Sequence, residues 1–135
     1  MAENSSNTAS GSHRRGVKRL IIMRHAEADW GLNDFDRPLT KRGHEQAAAA
    51  GAWLASRGYI PEQIMSSSAL RTRQTTTWVS DGLGAKAPTA HLDEGLYEVS
   101  ASRIIARINS VSENVHSLMV VSHLPGVQDA AQRLM

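Results

Sequence analysis

With 135 residues, 41% of them apolar and 21% charged, the chain has the length and balance of one globular domain that can bury a core without covalent staples. The absence of cysteine excludes a disulfide scaffold, a cysteine-ligated zinc site and a thiol nucleophile. The formal charge is only +2, with a pI near 9.4. Part of the basic excess sits at Arg14, Arg15, Lys18 and Arg19, without the interleaved aromatics of a nucleic-acid arm.

The opening MAENSSNTASGSHRRG is polar throughout and lacks the apolar segment of a secretory signal. Residues 1–16 are expected to be a disordered tail, followed by one domain over 17–135. No apolar run approaches the roughly 20 residues of a membrane span, so a cytoplasmic protein is the expectation. Residues 20–23, LIIM, form a fully apolar run, as in a strand covered on both faces of a parallel sheet. Thr40 is a good N-cap for a helix running to about Arg57, with Ala47, Ala50, Gly51 and Leu54 on one face and Gly58 as the stop.

Residues 63–66 make a second short strand, after which Ser68 is placed to cap a helix to about Asp81, broken by Gly82 and Gly84. Residues 89–92 read as a third strand. The spacing of Ile104, Ile108, Val111 and Val115 predicts an amphipathic helix over 101–115. Residues 118–121 form another fully apolar strand, and Pro125 marks the first turn of a last helix. Strands alternating with helices indicate an α/β domain with a mostly parallel sheet.

In open α/β sheets, ligands bind beyond the carboxyl ends of the strands. The first strand ends in Arg24 and His25. The second runs into Ser66, Ser67 and Ser68, with Arg71 one helical turn on. The third is followed by Asp93 and Glu94, and residues 118–121 lead to Ser122 and His123. Each residue type has a role if the ligand is a phosphoryl group. Arginine offers a planar, permanently charged fork of donors. A neutral imidazole can attack phosphorus and form a phosphohistidine. A second histidine, protonated, can donate to an equatorial oxygen, aided by the helix start near Pro125. This chemistry needs no metal and no cofactor.

Other readings of the same residues are weaker. His25, Glu27 and Asp29 could ligate a metal, but adjacent Arg24 disfavours a cation. The H-x-E of HAE is half a deaminase motif, and the missing cysteines remove it. His13, His44, His91 and His116 read as surface residues. The triple serine lacks the G-x-S-x-G elbow of a nucleophile.

The segments RHAEADW, DRPLTKRGHEQA, SSSALRTRQT, LYE and VVSHLPG, in this order over residues 18–135, resemble the histidine phosphatase (phosphoglycerate mutase-like) superfamily, and more closely the SixA-type phosphohistidine phosphatases. The resemblance implies a three-layer α/β/α fold and a metal-independent hydrolase of phosphoramidates or phosphoric monoesters. His25 would be the nucleophile, its other ring nitrogen donating to a backbone carbonyl. Arg24, Arg71 and His123 would bind the phosphoryl oxygens, and Glu94 falls where relatives place a proton donor. The implied partner is a phosphohistidine-bearing protein or a small phosphorylated molecule, not nucleic acid or membrane. Small phosphoester hydrolysis and phosphate binding without turnover are the alternatives. The glycine usual after Arg-His is Ala26, and Gly31 stands where mutase-type members have asparagine. Relatives continue with further helix and strand where this chain stops at Met135, so a C-terminally shortened domain is expected.

Overall fold

The computed structural model describes residues 2–5, 17, 19–31 and 33–135. In chain order the elements are β1 (Ala2–Ser5), β2 (Arg19–Arg24), α1 (Lys41–Ser56), β3 (Gln63–Ser67), α2 (Leu70–Leu83), β4 (Ala90–Asp93), α3 (Ala101–Asn109), β5 (Ser117–Ser122) and α4 (Gly126–Leu134), with short 3-10 turns at Asp34–Asp36 and Glu94–Leu96. The sheet order is β1-β2-β5-β3-β4. β2, β5, β3 and β4 are parallel, and β1 runs antiparallel on the outer edge of β2.

The fully apolar strands are explained by their two neighbours. Leu20 and Ile22 of β2 and Leu118 and Val120 of β5 turn to one face, where Ile104 and Ile108 of α3 and Val127 and Ala130 of α4 cover them. Ile21, Met23, Met119 and Val121 turn to the other face, against Ala47 and Leu54 of α1 and Val79 and Leu83 of α2. Alternate side chains therefore enter two separate cores, which is the three-layer α/β/α arrangement.

Several boundaries differ from expectation. Part of the expected tail, Ala2–Ser5, is a strand whose backbone pairs with residues 19–22; a ladder uses main-chain groups, so polar residues can complete an edge. Residue 1 and residues 6–16, including His13, lie outside the described residues. Ser68 does not cap α2. The helix starts at Leu70 after Ala69 with no side-chain cap, and the Thr72 hydroxyl, 2.8 Å from both the Ser67 and Ala69 carbonyls, shares its one proton between them.

Gly82 lies inside α2 rather than breaking it. There α1 and α2 cross so closely that a Cβ would collide with the Ala48 carbonyl. The helix from Ala101 stops at Asn109, short of 115. Ser110 and its hydroxyl turn back onto the Ala106 and Arg107 carbonyls. Val111 and Val115 still pack on the core from the following turn, so the apolar spacing outlasts the helix. Gly58, at φ +73, ends α1 as expected. No helix of the described residues is long and apolar enough to cross a membrane.

Candidate active site

β2 and β5 are neighbours in register, with Arg24 opposite Ser122, so the histidine after each strand emerges at the same height. The His25 backbone N–H donates to the Ser122 carbonyl at 3.2 Å and prolongs the ladder by one step. The two rings lie with centroids 5.6 Å apart and planes tilted by 59°. His25 Nδ1 lies 2.7 Å from the Ala26 carbonyl. A carbonyl can only accept, so Nδ1 carries the proton and Nε2 keeps a lone pair.

The segment after His25 is tied to α2. The Ala26 N–H donates to the Thr75 hydroxyl at 3.0 Å, and that hydroxyl donates to the Arg71 carbonyl at 2.7 Å. Arg71 itself is 3% exposed. Its Nη1 donates to the Asp34 carbonyl at 2.6 Å, and its Nη2 to Asp34 Oδ2 at 3.0 Å. Tyr97 completes the arrangement: its hydroxyl donates to the same Oδ2 at 2.6 Å, and its ring meets His123 edge to face at 5.4 Å. Arg71 Nε and His123 Nδ1 are buried and have no hydrogen-bond partner in the described structure. Buried polar groups are nearly always satisfied, so these two orphan nitrogens suit an added acceptor.

The electrostatics follow from burial and from Arg71. Desolvation lowers the His25 pKa below its ordinary value, with help from the Arg71 and Arg24 charges and against the pull of the Ala26 carbonyl. Burial, then the Arg71 charge, brings His123 down to about 4. Both rings are therefore neutral near pH 7. A guanidinium beside a desolvated ring disfavours a second cation, an effect that a bound anion opposes. The Tyr97 hydroxyl and Arg71 hold the Asp34 carboxyl well below the usual carboxylate range. In return Asp34 pushes the Tyr97 phenol up to about 12, and its hydrogen bond raises Glu98.

The structure thus brings His25, Arg71 and His123 together. Arg24 ends β2 with an exposed side chain on the rim of a cavity of about 420 Å³, which lies between α1 and α4 and is also lined by His25, Thr75, Leu124 and Gln128. Glu94 is exposed in its 3-10 turn, and the carboxylates that act on Arg71 and Tyr97 are Asp34 and Glu98. His91 and His116 are exposed, whereas His44 is half-buried and stacks on Trp78 at 5.2 Å. Trp30 is 84% exposed, with the Arg37 guanidinium over its ring at 4.8 Å. Among the described residues no group of three or more His, Asp or Glu could hold a metal ion. Sequence reasoning gave no role at the site to Asp34, Thr75 or Tyr97 and placed Ser67 only at a strand end. Ser67 and Thr75 lie within SSSALRTRQT and Tyr97 within LYE, so of these only Asp34 carried no signal.

The comparisons agree with this geometry. The model of the histidine phosphatase superfamily, branch 1, matches residues 20–123, and the chain belongs to that family. An uncharacterised protein of Mycobacterium tuberculosis is 39% identical over 105 residues, which cover 76% of this chain and 63% of that protein. The chain thus spans somewhat under two thirds of this curated relative. Among solved structures, the protein histidine phosphatase SixA complexed with tungstate superposes with a TM-score of 0.76 at 30% identity, covering 83% of this chain and 73% of the other. A candidate phosphohistidine phosphatase SixA from Agrobacterium tumefaciens gives a TM-score of 0.77 at 29% identity, covering 84% and 74%.

Proposed function

We propose that the chain carries a phosphatase centre in which His25 is the nucleophile, acting on phosphohistidine in a protein. The observation that carries this is the Nδ1 to Ala26 carbonyl bond, which leaves the Nε2 lone pair available beside a buried guanidinium. Nε2 attacks phosphorus. The Nε2–P bond forms as the bond from phosphorus to the leaving group breaks, and Arg71, Arg24 and His123 take up the charge on the equatorial oxygens. Water then attacks phospho-His25, releasing phosphate and restoring the neutral ring.

A phosphohistidine substrate fits this site because its imidazole leaves readily once protonated, which lessens the need for a carboxylic acid. An ester would need one, and for that role we propose Glu94, reached from its exposed turn. The SixA neighbours and the short connections around the site support a protein substrate, whose protruding side chain can reach a shallow centre.

The test is phosphate release from a histidine-phosphorylated protein and from p-nitrophenyl phosphate, with chelator present, by this chain and by His25→Ala. The expected result is faster release from the protein, a phosphoryl group trapped on His25, and neither with the variant. Faster turnover of the ester would reverse the substrate assignment. Binding of the phosphoprotein without release would make this a recognition module.

A further inference from the structure

Ser67, the last residue of β3, is fully buried, and its Oγ lies 2.8 Å from His123 Nε2. We propose that Ser67 is a positioning residue that selects the tautomer of His123: its hydroxyl donates to Nε2, so the ring proton sits on Nδ1, the donor offered to the phosphoryl oxygen. The identity of that oxygen rests on the phosphatase reading; the tautomer does not.

The hydrogen-bond directions decide it. Ser67 Oγ already accepts the Ala69 backbone N–H at 3.3 Å. Its own hydrogen is then free, and His123 Nε2 is the acceptor in reach. The mount is rigid, because the Ser67 carbonyl accepts the hydroxyls of Ser66 at 2.9 Å and Thr72 at 2.8 Å. In the opposite tautomer, Oγ would receive two N–H groups while its own hydrogen lacked a described acceptor. Nδ1, buried and unpartnered, would then present a lone pair. A lone pair there repels the anion that Arg71 attracts.

In the assigned tautomer, Ala69 N–H, Ser67 O–H and His123 Nδ1–H point in one direction. The chain ends on an orphan donor that only an added acceptor can satisfy. The low pKa of His123 is consistent with a ring that has a single proton to place. A neutral imidazole can thus bind an anion without first being protonated, as long as its proton is on the correct nitrogen.

The test combines ring-nitrogen NMR of the full chain at neutral pH with affinity for tungstate. His123 should show a protonated Nδ1 and an unprotonated Nε2. Ser67→Ala removes one buried atom; it should mix or invert that pattern and weaken tungstate binding about tenfold, and Ser67→Thr should restore both. A wild-type ring protonated on Nε2, or a Ser67→Ala ring with the wild-type pattern, would overturn the proposal. If the tautomer and tungstate affinity follow Ser67 while no phosphoryl group is trapped on His25, the positioning role stands and the phosphatase reading fails.

Discussion

The exits of β2 and β5 look alike in sequence, four apolar residues, one polar residue and a histidine, yet they present different rings. At the exit of β2, His25 is half-buried, and its described ring hydrogen bond is local, to the carbonyl of the next residue. At the exit of β5, His123 is 4% exposed, edged by Tyr97 and bonded to Ser67, 56 positions away. A nucleophile must hold its proton on one nitrogen while the other stays open, and a neighbouring carbonyl suffices for that. A donor aimed at a fixed oxygen must be held from several sides. On the proposed reading the same local motif serves two purposes, and what distinguishes them is tertiary.

The largest effect should separate the two exits outright. His25→Ala should lower turnover of a histidine-phosphorylated protein by about 10⁴-fold or more, whereas His123→Gln should keep a residual rate, read by phosphate release. Arg71→Lys comes next. It keeps the charge but loses the fork that grips Asp34, and turnover should fall about 10²-fold while the fold stays intact by circular dichroism.

The third measurement uses acid. The folded pKa of His123, about 4, lies below its unfolded value of 6.5. Between those values the unfolded state binds more protons, so the stabilisation is complete above pH 6.5 and is lost as pH falls toward 4. The loss amounts to about 3 kcal/mol by linkage, and denaturant melts of His123→Gln should show that much less acid sensitivity. His25, also lowered, should keep the acid limb of turnover below pH 6.5.

Two smaller effects sharpen the contrast. Tyr97→Phe removes the main cause of the low Asp34 pKa, so that pKa should rise in a carboxyl NMR titration, with turnover down only several-fold. Thr40→Ala, which loses the cap on the Gly43 N–H, should cost about 1 kcal/mol in a melt and leave turnover unchanged.

Much of the frame was legible because LIIM and LMVV are short, fully apolar runs as expected of strands covered on both faces, and because Thr40 and Gly58 mark the ends of α1 chemically. The histidines and Arg71 were legible because each sits beside a strand end. Their partners were not. Arg71 meets Asp34 across 37 positions and Tyr97 meets it across 63, and neither spacing leaves a local pattern. The low pKa of His123 was not legible for the same reason, since the burial that causes it belongs to the packed site. The overrun at Val111 and Val115 shows a different limit: apolar periodicity records which residues face the core, not whether the backbone is still helical.

The register of β2 against β5 also has a dynamic consequence. The two strands are hydrogen-bonded neighbours, and the last rung joins His25 to Ser122 directly. Bending or tilting of the sheet is therefore expected to carry the two strand exits together, as a common-mode motion of the backbones that bear the rings. Asp34, on its exposed turn, shares no such rung. Fluctuation should reach the centre as movement of the Arg71 partner rather than as relative movement of the two strand exits, so the backbones of the histidine pair should act as one frame.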